Sequence, residues 1–290
     1  MNPLDKQLDY FAPLTLLEGC KLLDTYRSSA AIIAGGTDLL PRVRAGVMRP
    51  ERLVDLRCLG LNTIKFEDNF IKIGACTTHA EIIDSEIIAE HLPALAAACG
   101  TIGGPPIRNR GTIGGNLANA SPAADTAPPL LAYDAEVTLA NEGGQRTLPV
   151  ADFFVGPGKS VLEPGELLVE VRIPQPPART AAAFVKVGKR KAMAVAVVSV
   201  CTRVSLSEDG HITGARIALG SVAPTPIRVV SAEQTLRGSV LSDDLIERAA
   251  EETRRVASPI SDLRAPADYR SKMVGVHTRR ALKAAWETLV

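Results

Sequence analysis

Cysteine is sparse in this chain and arranged for neither metal nor disulfide. The five residues Cys20, Cys58, Cys76, Cys99 and Cys201 are scattered, odd in number and free of C-x-x-C spacing. That argues against a zinc site or a disulfide framework and favours free buried thiols acting as small apolar groups. Histidine is almost as rare. None of His79, His91, His211 and His277 lies in an H-E-x-x-H or related pattern, so hydrolytic metal chemistry has no visible ligand set. All four are read as structural or surface residues, with His79 set apart because it opens a helix. Net charge is also missing: 33 basic against 32 acidic residues leave +1, which gives no field to attract nucleic acid or an anionic membrane. No apolar run reaches the length of a membrane span, and Met-Asn-Pro-Leu-Asp-Lys at the start has no secretory core, so the chain reads as soluble and cytoplasmic. The Rossmann G-x-G-x-x-G and Walker signatures are absent too.

What the chain does have is size and glycine-rich loops. At 290 residues and 46% apolar composition it can bury the cores of two domains. Gly111 to Asp125 reads Gly-Thr-Ile-Gly-Gly-Asn-Leu-Ala-Asn-Ala-Ser-Pro-Ala-Ala-Asp, rich in small and polar residues and poor in charge. Gly114 and Gly115 allow close backbone approach, and successive N–H groups in such a turn form an anion-binding concavity. Thr112, Asn116, Asn119 and Ser121 add neutral hydrogen-bonding groups, and Asp125 adds a carboxylate. A second stretch, Ile32-Ile33-Ala34-Gly35-Gly36-Thr37-Asp38-Leu39, runs an apolar strand into a Gly-Gly turn. Either glycine pair alone is an ordinary turn more often than a phosphate loop. Two together suggest a clamp on the diphosphate of one long ligand.

The remaining pattern is α+β. A helix opened by the capping box Thr15-Leu16-Leu17-Glu18, a strand at 31–34, a short helix over 38–45 and a strand at 52–56 form a small β-α-β layer. Strands at 70–75, 135–140, 147–150 and 166–173 belong to a second, larger lobe, with helices from Thr78 to Asp84 and His91 to Ala98 between them. Pro174-Gln175-Pro176-Pro177 is the clearest linker. It divides a domain at 1–175, with lobes of about 1–57 and 58–175, from one at 178–290. The latter reads as three antiparallel strands, 183–188, 195–207 and 212–220, backed by helices at 242–256 and 267–289. Val195, Val197, Val198 and Val200 form a core stripe. The basic run Lys186, Lys189, Arg190 and Lys191 is a solvated face or a loop folding over a ligand or partner. Arg108 and Arg110 flank the second glycine loop and are candidates for pairing with a diphosphate.

Over nearly its whole length the chain resembles the FAD-binding subunit of the molybdenum hydroxylase family, which includes xanthine and carbon monoxide dehydrogenases. Ala34 to Asp38 and Thr112 to Asn116 match the Ala-Gly-Gly-Thr-Asp and Thr-Ile-Gly-Gly-Asn segments that grip the FAD diphosphate in that family. The resemblance implies a two-lobed FAD-binding domain of the vanillyl-alcohol-oxidase/PCMH type, a smaller C-terminal domain, and FAD between the lobes. It also implies Ile32 and Ile33 beside the flavin, with Leu39, Ala124 and Asp125 as further contacts, Leu168 as an apolar neighbour of the ring, and Lys186 opposite it. Where family members often carry Ser-Pro-Gln, this chain has Gly104-Pro105-Pro106, so the resemblance does not carry that Gln contact over, while it still implies Ile102 and Gly103 against the flavin. Molybdopterin and two 2Fe-2S clusters are implied only in large and small partner subunits, which pass electrons to this FAD and on to NAD or another acceptor. A free-standing flavin reductase or oxidase is the alternative, but it needs a proton donor in a substrate pocket, and no Ser and Glu pair is evident for one. A third reading is an assembly module with structural FAD.

Overall fold

The computed structural model describes residues 8–190 and 192–289. The chain begins with a parallel sheet, β1 (Asp9–Phe11), β2 (Ala30–Ile33) and β3 (Arg52–Asp55), in the order β1-β3-β2. Helix α1 (Leu16–Tyr26) starts where the Thr15 hydroxyl accepts the Glu18 N–H at 3.2 Å, and it buries Cys20 and Leu23 against Val54 and Leu56. Between β2 and α2 (Leu39–Arg44) the chain makes its first Gly-Gly turn.

A five-stranded antiparallel sheet follows: β4 (Ile64–Glu67), β5 (Phe70–Gly74), β6 (Glu136–Asn141), β7 (Gly144–Pro149) and, after the small hairpin of β8 (Phe154–Gly156) and β9 (Lys159–Ser160), β10 (Leu167–Pro174). Its order is β4-β5-β10-β6-β7. Alternate residues Ile71, Ile73, Val137, Leu139, Val171 and Ile173 turn one face into the core. Six short helices, α3 (His79–Asp84), α4 (Glu86–His91), α5 (Pro93–Gly100), α6 (Pro105–Arg108), α7 (Ile113–Ala118) and α8 (Ala127–Ala132), connect β5 to β6 and supply Ile82, Ile88, Leu95, Leu117 and Leu130 to that core. The single helix expected over 91–98 is instead two, broken at Leu92, because Pro93 has no N–H to continue a helix and starts a new one. A smaller apolar seam of Cys20, Leu23 and Val54 against Cys76, Ala140 and Val169 binds the two sheets together. Cysteine is not buried throughout: Cys58 is exposed, unlike the other four.

The C-terminal domain has strands β11 (Thr180–Val187), β12 (Val198–Leu206) and β13 (Ile212–Gly220), and a two-residue fourth strand, β14 (Ile227–Arg228), joins the three expected ones at the edge. All pairs are antiparallel. Helices α9 (Val230–Leu236), α10 (Asp243–Val256) and α11 (Ala267–Glu287) complete it. Val197, Val198 and Val200 are buried as expected, but Val195 is 54% exposed, because β12 starts only at Val198.

Two contacts tie these parts into one frame. A Cβ on Gly35 would sit 1.8 Å from the Arg110 carbonyl oxygen, so the first glycine loop meets the backbone before the second with no room for a side chain. Gly114 is also tightly packed, with Ala75 2.6 Å from the place of its Cβ. On the far side of α8, Asp134 accepts hydrogen bonds from Arg203 (2.7 Å), Arg216 (2.8 Å) and Arg228 (2.7 Å), all from the C-terminal sheet. Burial opposes its charge, but Arg216's hydrogen bond and the fields of all three arginines outweigh it and hold the carboxyl below its ordinary range.

Gly35→Ala is expected to cost about 3 kcal/mol in urea unfolding, the upper end for overpacking. Gly100→Ala, with nothing within 4 Å of its added Cβ, is expected to cost nothing. Asp134→Asn strands Arg203, whose side chain is 9% exposed, and is expected to cost about 3 kcal/mol at pH 7. Because the folded-state pKa of Asp134 is lowered, its contribution is present above the unfolded value and is lost as pH falls through the folded one. The gap between wild type and variant therefore closes in acid, which unfolding curves from pH 7 to pH 3 would measure.

Candidate functional site

A cleft of about 660 Å³ opens between the parallel and antiparallel sheets and is closed on one side by Met193, Ala194 and Val195 of the C-terminal domain. That volume suits an organic ligand or cofactor. Of the residues singled out in the sequence, Ile32, Ala34, Gly35, Gly36, Thr37, Asp38, Leu39, Ile102, Gly103, Thr112, Gly114, Gly115, Asn116, Ala124, Asp125 and Leu168 line it. Two stand back from the wall. Ile33 follows Ile32 on β2, and the alternation of a strand turns it away. Lys186, on β11, lies behind Asp125.

The two glycine loops contribute differently. Among the described residues, the N–H groups of Gly35, Gly36, Thr37 and Asp38 have no protein acceptor, and Gly36 at φ +74° bends them round in a turn that a β-carbon would strain. They form the open amide concavity. In the second loop, which the sequence suggested for that role, Ile113 donates to Thr77 O (3.0 Å), Gly114 to Ala75 O (2.9 Å), Gly115 to Thr112 Oγ1 (3.1 Å) and Asn116 to Thr112 O (2.9 Å). Starting α7 and anchoring it to β5 uses those amides up. This loop offers side chains instead. Asn116 Oδ1 accepts the Thr126 hydroxyl at 2.6 Å, which leaves its NH₂ end free to donate.

Beyond the loops lies a buried ion pair. Lys186 Nζ donates to Asp125 Oδ2 at 2.5 Å and to Thr101 O at 3.1 Å, with the two side chains 8% and 9% exposed. Burial outweighs the ammonium and pushes the Asp125 carboxyl up to about 6, so this carboxyl remains mostly ionised at neutral pH. Asp125 Oδ1 is buried with no hydrogen-bond partner, an acceptor awaiting a donor from the cleft. Open amides, a free carboxamide donor and an orphan carboxylate oxygen on one wall fit a ligand with an anionic middle and a hydrogen-bonding ring.

The flanking arginines do not take part. Arg108 donates to Ile102 O at 3.1 Å, bracing that segment, and neither it nor Arg110 lines the cleft. In the basic run, Lys189 donates to the Leu263 carbonyl and Arg190 to Met193 O, while Lys191 lies outside the described residues. Sequence reasoning missed one end of the cleft, where Leu23, Arg27, Arg42 and Met48 come from α1, α2 and their flanking turns. It also missed Glu163 to Gly165 before β10. Arg42 follows Asp38 by one helical turn and could have been placed on the same face; the others carry no local signal. His79 forms part of the wall as well.

Among the described residues no cluster of His, Cys, Asp and Glu could hold a metal ion, and no helix is long and apolar enough to cross a membrane. Residues 6–176 match the family of the FAD-binding domain in molybdopterin dehydrogenase, and residues 183–285 match the CO dehydrogenase flavoprotein C-terminal domain. The chain is 37% identical over 283 residues to the carbon monoxide dehydrogenase medium chain of Hydrogenophaga pseudoflava, covering 97% of each. It is 35% identical over 279 residues to a xanthine dehydrogenase FAD-binding subunit of Escherichia coli, covering 95% of each. In structure it matches carbon monoxide dehydrogenase from Hydrogenophaga pseudoflava with a TM-score of 0.93 at 36% identity, over 97% of this chain and 98% of that one. Quinoline 2-oxidoreductase from Pseudomonas putida gives 0.91 at 32% identity, over 98% of both chains. With two family models covering most of its length and relatives matched end to end, the chain belongs to the FAD-binding medium subunits of the molybdenum hydroxylase family.

Proposed function

We propose that this chain holds FAD in the cleft, receives electrons from the iron–sulfur clusters of a small partner subunit, and passes them to NAD or another acceptor. In this reading a large partner subunit carries the molybdenum cofactor and oxidises the substrate. The observation that carries it is the set of four unpaired backbone amides from Gly35 to Asp38 lining the same cleft as the unpaired Asp125 Oδ1 and the free end of Asn116. The amides and the Asn116 NH₂ would hold the diphosphate, and Ile32, Ile102, Gly103 and Leu168 would shape the pocket for the ring. Bound FAD supplies an electron acceptor that takes electrons singly or in pairs. The protein's part is to position the flavin, shield it and set its potential through the Asp125–Lys186 pair.

Stoichiometric FAD, released from the chain or its native complex and identified by chromatography, is the expected finding. Flavin-free protein that FAD cannot reconstitute would sink the reading. Asn116→Asp keeps the acceptor for Thr126 but replaces the free NH₂ with a charge that repels phosphate. It is expected to weaken FAD binding tenfold or more with an unchanged unfolding temperature. Lys186→Met removes the cation that holds the Asp125 carboxyl down and is expected to lower the midpoint potential of bound FAD above neutral pH, where that carboxyl ionises without its partner, whereas Asp125→Asn is expected to raise it. Spectroelectrochemical titration of both variants provides the check.

A further inference from the structure

His79 is not among the cofactor contacts that the family resemblance implies, yet the fold builds it into the cleft. The residue is 2% exposed and opens α3, whose start is held by a reciprocal capping box between Thr78 and Glu81. Its backbone N–H donates to Gly111 O at 3.0 Å, and Thr78 bridges to Thr112, so the start of this helix is fastened to the second glycine loop. The place of a Cβ on Gly111 lies 3.2 Å from His79 Cδ2 and 3.4 Å from the Thr37 hydroxyl, so the imidazole and the first loop flank the same glycine, and all three residues line the cleft.

The two ring nitrogens have unequal surroundings. Nδ1 lies 3.7 Å from Cys99 Sγ, whose thiol is wholly buried, with its pKa pushed far up by burial, and so stays protonated. The thiol proton is within reach of Nδ1, and with Nδ1 as its acceptor the proton of the neutral ring sits on Nε2. Burial, with the Arg108 charge adding to it, pushes the imidazole pKa down to about 4, so the ring is neutral at pH 7. Among the described residues Nε2 makes no hydrogen bond, and the residue lines the cleft.

We propose that His79 is a further cofactor-binding residue, donating from Nε2–H to an oxygen of the FAD diphosphate, and that Cys99 is a positioning residue that selects the required tautomer. The inference rests on the reading that FAD occupies this cleft. A neutral donor in the cleft adds a hydrogen bond to phosphate without placing a second cation near Arg108.

Two measurements test it. The first needs no flavin: ring ¹⁵N shifts of His79 in the FAD-free full chain at pH 7 are expected to show a neutral imidazole protonated at Nε2, and in Cys99→Ala a loss of that preference. A ring protonated at Nδ1, or charged, overturns the proposal. The second is titration of the full chain with FAD, ADP and riboflavin, or the FAD content of the co-expressed complex if the chain takes up flavin only there. His79→Phe is expected to weaken FAD and ADP about tenfold and leave riboflavin unchanged, while His79→Gln, which keeps an N–H donor, stays within about threefold of wild type. Unchanged FAD affinity in His79→Phe, or equal loss for all three ligands, overturns the proposal. If His79→Phe fails to fold, the Gln variant and the ¹⁵N shifts still decide. A wild-type chain that takes up no FAD, alone or in complex, would instead strike the cofactor reading itself.

Discussion

Where Gly35 meets the carbonyl of Arg110, two backbones touch across the boundary between a parallel and an antiparallel sheet. Nothing larger than hydrogen fits between them, so the two glycine loops are held in register by direct contact. Gly35 and Gly111, at that contact, both line the cleft. Helix α7, anchored through Gly114 to Ala75, and helix α3, anchored through His79 to Gly111, are both fastened at this junction. The side chains facing the cleft, Asn116, Thr37 and His79, therefore take their positions from packed backbone.

The same contact explains why two similar motifs have different duties. In the first loop the chain leaves a strand and makes a left-handed turn at Gly36, so its amides point away from every protein acceptor. In the second the chain enters a helix at once, and its amides are taken by Thr77, Ala75 and Thr112. One loop presents backbone donors; the other is a rigid spacer that presents side chains. Glycine is needed in both, in the first for a turn and a close approach, in the second for contact with β5.

The C-terminal domain reaches the cleft electrostatically. Lys186 from β11 neutralises Asp125 in the wall, and three arginines from the same sheet converge on Asp134, nine residues further along. Buried or half-buried carboxylates at both ends of the segment carrying α8 are thus answered from the other domain. That arrangement makes the position of the C-terminal sheet part of the cleft's charge balance. It also brings Met193 to Val195 over the opening.

Much of this was legible in the residues. Periodicity marked the long strands and helices, the cap residues Thr15 and Thr78 marked helix starts, and the motifs at Ala34 to Asp38 and Thr112 to Asn116 pointed to the family. These features are local, and local chemistry decides them. What tertiary structure alone decided was direction and partnership: which amides remained open, that Lys186 would stand behind Asp125 and not beside it, and that Val195 would leave the core stripe to line the cleft. The same holds for Leu23, Arg27, Arg42 and Met48, which reach the cleft from separate elements. His79 illustrates the limit most clearly, since the thiol beside its ring belongs to a residue twenty positions away that only the folded chain brings there.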